Sequence, residues 1–139
     1  DSEGHETIVA RHRRLAEGVR RGVAAWGLEL CAENPGEYSD TVSAIRTPEG
    51  VDARDVIRIA FERYNTAFGS GLSQLAGKVF RIGHIGDFSE GMVLTALSVA
   101  ELCLAEAGAQ VRFGSGVAAA QAWFTECLVS GKSAKIAAE

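Results

Sequence analysis

The clearest strand pattern in this sequence is KVFRIGHI, residues 78–85, which a Gly-Asp turn follows. Successive side chains of a strand point to opposite faces of the sheet. Phe80 and Ile82 therefore share one face, which we expect to pack under helices. Arg81 shares the other face with Val79 and Gly83, and the glycine leaves room beside the guanidinium.

On both sides of this strand, apolar spacing and turn residues predict helices and a few short strands. The predicted helices span residues 6–26, 53–65, 90–107 and 115–129, and the other predicted strands span 28–32, 41–47 and 111–113. Helices outnumber strands and can cover only one small, mainly antiparallel sheet, which indicates an α+β fold rather than a doubly wound one. We divide the chain into a leading helix at 1–26, a small domain at 27–129 and a frayed tail at 130–139.

The second predicted helix has a defined start and a defined apolar side. Asp52 precedes it and is a typical N-cap residue. Its apolar residues recur at helical spacing. The predicted buried stripe is Val56, Ile57, Ala60, Phe61 and Tyr64.

Composition narrows the class of protein. The chain has 139 residues, a net charge of −4 and 47% hydrophobic residues, which favours a folded domain over a disordered chain and argues against a general nucleic-acid binder. No apolar run reaches the ~20 residues of a membrane helix.

The cysteines Cys31, Cys103 and Cys127 lack the paired spacing of a zinc site, so we expect no metal and buried thiols in a reducing cytoplasm. The chain lacks an initiator Met, from which we expect a fragment or an excised domain.

Arg81 is the strongest candidate for a binding residue. A guanidinium beside a glycine can take a planar carboxylate partner in a two-pronged arrangement. The alternative is a surface salt bridge with a neighbouring acid. Spacing alone favours the salt bridge.

Two glycine-rich segments invite a functional interpretation. GSGLSQ, residues 69–74, is either a loop that approaches a ligand or an ordinary turn. GSGVAA, residues 114–119, matches a dinucleotide-binding pattern, but too little chain follows for a βαβ unit, so a helix start is the better interpretation. His84, Asp87 and Ser89 lie close in sequence without the separate elements that a catalytic triad needs, and Ser89 is better explained as a helix cap.

Several segments together resemble the C-terminal part of class V aminotransferases, with serine–glyoxylate and alanine–glyoxylate aminotransferases as the closest match. The resemblance covers about residues 6–125. The matching segments are GLEL at 27–30, DTVSAIR at 40–46, GVD at 50–52, YN at 64–65 and GKVFRIGHIGD at 77–87. The run around Arg81 is the specific one.

This resemblance implies an enzyme with pyridoxal phosphate as cofactor, a large cofactor domain, a smaller α+β C-terminal domain and a cytoplasmic homodimer. It implies that Arg81 holds the substrate α-carboxylate and that the loop at 69–74 lies near the active-site mouth. In that loop we expect Gly71 and Leu72 to bind the substrate. The Schiff-base lysine and the cofactor ligands lie upstream in the family. We therefore expect no catalytic or cofactor-binding residue in this chain, no activity of the chain alone, and no nucleic-acid or membrane partner.

One alternative from another class stays open at this point. The order of helices and strands also suits a free-standing α+β module that binds amino acids or dimerises through residues 6–26, without catalysis.

Overall fold

A computed structural model describes residues 5–31, 42–71, 73–83 and 88–138. It contains four α-helices and a four-stranded antiparallel sheet with the strand order β1-β2-β4-β3. The elements are α1 (His5–Ala25), β1 (Glu29–Leu30), β2 (Val42–Arg46), α2 (Ala53–Tyr64), β3 (Gly69–Ser70), a 3₁₀ turn (Ser73–Leu75), β4 (Val79–Gly83), α3 (Glu90–Glu106) and α4 (Ser115–Ala138). The predicted α+β fold is confirmed.

The helices form a layer on one side of the sheet. α1 and α2 pack directly on the strands, α3 packs against both of these helices, and α4 lies along α1 and α3. The core between the layers includes the fully buried side chains of Leu15, Ile45, Val56, Phe80 and Leu97. This packing leaves the opposite face of the sheet for the residues that alternate with the core positions.

The alternation predicted for β4 is confirmed for its central residues. Phe80 and Ile82 are buried in the core, and the ring of Phe80 lies 5.4 Å from that of Phe68. Arg81 is half-buried on the other face, and Gly83 is exposed there. Val79 shares the Arg81 face but is also buried, with 1% of its surface exposed.

The buried stripe predicted for α2 is only partly right. Val56 and Ala60 are buried as predicted, but Phe61 is 65% exposed and Tyr64 is 37% exposed, while Ile59 is buried instead. On a helix Ile59 lies to the opposite side of Val56 from the predicted stripe. The sequence offers apolar residues on both flanks of Val56, and packing against the sheet and α3 selects the flank that carries Ile59.

The ends of the helices follow local chemistry where the sequence provides it. The Asp52 carboxylate accepts a hydrogen bond from the Arg54 N–H at 2.9 Å, and Ser89 Oγ accepts one from the Met92 N–H at 3.2 Å, so both predicted N-caps are confirmed.

Two other predictions were wrong. Residues 111–113 form no strand, and α4 continues to Ala138 instead of ending near residue 129. The division of the chain at residues 26 and 129 stays a prediction.

Candidate functional site

The site is built around Arg81 at the centre of β4. Antiparallel pairing places Ala44 of β2 on one side of it and Gly69 of β3 on the other. Since directly paired residues share a face, the two neighbours on the Arg81 face are the smallest side chains available. The guanidinium thus lies on the sheet between two small residues, on the face opposite the core.

Arg81 has no internal partner in the part of the chain that the structure describes. Its Nε is buried without a hydrogen-bond partner there, and none of the ion pairs between described residues involves it. Buried polar groups are nearly always hydrogen-bonded in folded proteins. The salt bridge to a neighbouring acid, which spacing alone favoured, is therefore not found among the described residues.

The loop after β3 closes one end of this site. Gly71 is buried, and a Cβ on it would lie 2.5 Å from both the Leu75 carbonyl oxygen and Val79 Cγ2. The loop therefore folds tightly over Val79, which explains why this residue is buried beside an arginine. Gly71 shapes the loop through its backbone, and its predicted contact with substrate stays a prediction. Leu72, the other predicted loop residue, lies outside the described residues.

The GSGVAA segment starts a helix, as predicted, and receives a carboxylate from inside the protein. The Gly114 N–H donates to Glu101 Oε1 at 2.8 Å, and the Gly116 N–H donates to Glu101 Oε2 at 2.9 Å. Trp26 Nε1 donates to the same Oε2 at 2.8 Å. A helix N-terminus attracts an anion, and here the anion is the side chain of Glu101, which is 3% exposed. This segment therefore has an internal occupant and no dinucleotide role.

Glu101 was missed by sequence reasoning. The one available signal is a single acidic residue in the middle of the apolar pattern of α3. Its three donors come from the end of α1 and from the start of α4. That convergence is visible only after the helices have packed.

The remaining candidate residues that the structure describes are a helix cap and three cysteines. Ser89 caps α3 as predicted, while His84 and Asp87 lie outside the described residues. Cys103 is buried, which raises the pKa of its thiol to about 11, whereas Cys31 and Cys127 are only half-buried. In residues 5–31, 42–71, 73–83 and 88–138, no group of three or more His, Cys, Asp or Glu side chains is placed to hold a metal ion. Within the same residues, no helix has the length and apolar character to cross a membrane.

Comparison with known proteins shows which class of enzyme this chain resembles. A search of protein-family models found no match. An L-aspartate–glyoxylate aminotransferase from Paracoccus denitrificans is 55% identical over 120 residues, which are 86% of this chain and 30% of that protein. A serine–glyoxylate aminotransferase from Hyphomicrobium methylovorum is 52% identical over 125 residues, covering 90% of this chain and 31% of that protein.

A solved structure agrees with these relatives. The pyridoxamine–pyruvate aminotransferase from Mesorhizobium loti superposes with a TM-score of 0.85 and 36% identity, over 90% of this chain and 32% of that chain. The chain belongs to the class V aminotransferases. It corresponds to their C-terminal part and spans about 30% of the length of the relatives it matches. None of these three proteins favours the alternative of a free-standing binding module.

The described residues do not themselves fit the pyridoxal phosphate that aminotransferases use. Lys78 is the lysine whose side chain is described, and it is exposed beside a groove of about 650 Å³ that Arg46, Asp52 and Arg54 also line. Asp52 is not available to a cofactor, because Arg54 hydrogen-bonds it at 2.9 Å and holds the pKa of its carboxyl below the ordinary value.

Proposed function

We propose that the full-length protein containing this chain is an aminotransferase that moves an amino group from serine or alanine to glyoxylate, and that Arg81 holds the carboxylate of both substrates. The observation that carries this proposal is the buried Arg81 Nε without a partner among the described residues. Two relatives, an L-aspartate–glyoxylate and a serine–glyoxylate aminotransferase, are named for glyoxylate, which supports it as the acceptor.

The placement of Arg81 suits a carboxylate ligand. A guanidinium offers parallel N–H donors that match the two oxygens of a carboxylate, and such charge-assisted pairs are stronger than neutral hydrogen bonds. Amino donor and oxo acceptor both carry an α-carboxylate, so one arginine serves both half-reactions. The paired neighbours Ala44 and Gly69 add little side-chain bulk beside the guanidinium.

In this proposal, the chain orients the substrate. Pyridoxal phosphate, when bound by the upstream part of the protein, supplies the electronic chemistry of amino transfer. A substrate held by its carboxylate has fewer orientations available to its amino group and α-proton. We also propose that the protein works as a cytoplasmic homodimer, because the family resemblance implies it.

The amino-group transfer is tested with the full-length protein loaded with pyridoxal phosphate. Serine, alanine and aspartate are added in turn, and the absorbance of the cofactor is recorded before and after glyoxylate is added. We expect the cofactor band to shift with serine or alanine and to return with glyoxylate. A band that neither serine nor alanine shifts, or that glyoxylate does not restore, contradicts the proposal.

A further inference from the structure

Gly69 is the residue that Arg81 contacts across the β3–β4 pair. A Cβ built on Gly69 would lie 3.3 Å from Arg81 Nε, 3.4 Å from its Cβ and 3.5 Å from its Nη2. These three atoms span the side chain from its root to its tip. The Arg81 side chain therefore runs along the backbone of β3 at the place where any other residue would carry its own side chain.

The other glycine beside Arg81 is placed differently. A Cβ on Gly83, two residues further along β4 and exposed on the same face, would have nothing within 4 Å among the residues that the structure describes. Neither glycine has a positive φ angle. The two positions thus differ in what a methyl group would touch, and only Gly69 touches the guanidinium.

We propose that Gly69 is a positioning residue for Arg81, and that its missing side chain sets how the guanidinium meets the substrate carboxylate. This inference rests on the proposed function of Arg81. A methyl group 3.3 Å from Nε is closer than an ordinary van der Waals contact, so the guanidinium of a Gly69→Ala variant has to shift by a few tenths of an ångström. A two-pronged hydrogen bond is directional, so such a shift weakens it.

The loss of kcat/KM should increase with the size of the side chain introduced at position 69. We expect Gly69→Ala to lower kcat/KM for the amino donor by about tenfold, and Gly69→Val to lower it by on the order of a hundredfold, since a misplacement of about 1 Å can cost that much. KM should carry most of the change. Among the described strands, the two-residue β3 pairs with β4 and lies at the edge of the sheet, so the alanine is not expected to disturb the core.

The decisive experiment is a double-mutant cycle in the full-length, cofactor-loaded enzyme with Gly69→Ala, Arg81→Ala and the combined variant. If Gly69 acts through Arg81, the Gly69→Ala change should lower kcat/KM in the wild-type background and leave it within about twofold in the Arg81→Ala background. Gly131→Ala, in α4 on the helix side of the sheet, is the control and should leave kcat/KM unchanged in both. If the Gly69→Ala variant does not fold, Gly69→Ser, which also adds a Cβ, replaces it in the double-mutant cycle.

Each other outcome identifies what is wrong. An equal loss from Gly69→Ala in both backgrounds, or no loss in the wild-type background while Arg81→Ala is impaired, overturns the positioning role and leaves the function of Arg81 intact. Unchanged kinetics of Arg81→Ala alone reject the proposed function itself.

Discussion

At the scale of single residues, the alternation of β4 predicted which face Arg81 would occupy. Period two is a local property of a strand, so the burial of Phe80 and Ile82 followed from the sequence. The burial of Val79 did not, because the loop that covers it has no periodic signal. The neighbours Ala44 and Gly69 also escaped prediction, since strand register depends on distant parts of the chain.

Glu17 illustrates a residue whose role depends on pH. Burial raises the pKa of its carboxyl, but hydrogen bonds from Arg20 at 2.9 Å and Arg21 at 3.1 Å outweigh this and lower the pKa below its ordinary value of 4.5. A group with a lowered pKa in the folded state stabilises the protein above its unfolded pKa. That stabilisation is lost as the pH falls through the folded pKa.

We predict that Glu17→Gln lowers the free energy of unfolding by about 0.5–1 kcal/mol near neutral pH, because the pair is partly exposed and screened by solvent. The difference from wild type should shrink from neutral to acidic pH, as the pH falls through the folded pKa and the carboxyl becomes protonated in both states. Urea unfolding midpoints at the two pH values measure it. The exposed Glu49→Gln variant is the control and should show little difference at either pH, whereas a Glu17→Gln deficit that persists in acid would disprove the ion-pair explanation.

At the scale of elements, the N-caps of the helices could be predicted from the sequence, whereas the buried faces of the helices were harder to predict. Asp52 and Ser89 act on backbone groups two or three residues away, so their roles follow from short segments. The buried face of α2 is set by the sheet and α3, which is why the prediction chose Phe61 where the structure buries Ile59. The end of α4 carries no strong stop signal, and its predicted end was too early.

The start of α4 gives a test of close packing. A Cβ on Gly116 would lie 2.5 Å from Trp26 Nε1, whereas one on Gly131, later in the same helix, would have nothing within 4 Å. We predict that Gly116→Ala lowers the free energy of unfolding by about 2–3 kcal/mol, because it displaces the indole that donates to Glu101. Urea unfolding of the full-length protein measures the change.

Gly131→Ala is the matched control for that substitution. It should raise the free energy of unfolding by about 0.5–1 kcal/mol, since alanine is the better helix former and has room there. Equal effects of the two substitutions would show that helix propensity, and not the contact with Trp26, determines the cost at Gly116.

At the scale of the whole molecule, the hydrophobic core and the proposed binding residue lie on opposite faces of the sheet. Helices and core occupy one face of the sheet, and Arg81 stands on the other with small residues around it. Composition and periodicity indicated an α+β domain, but they did not indicate an aminotransferase. The segments that carry the family resemblance did so, and the comparisons confirm the family while Arg81 retains a proposed role.

The most direct test compares serine with ethanolamine, which is serine without its carboxylate, as amino donors for wild type and Arg81→Ala in the full-length enzyme. Loss of a charge-assisted two-pronged pair should cost about 2–4 kcal/mol, so kcat/KM for serine should fall by roughly 30- to 900-fold. The rate with ethanolamine should stay within about twofold, since that donor offers nothing for Arg81 to bind. Arg58→Ala, which removes an exposed arginine of α2, should leave both donors unaffected. An equal loss for serine and ethanolamine in Arg81→Ala, or no loss for either, would contradict the assignment of Arg81 as the carboxylate-binding residue.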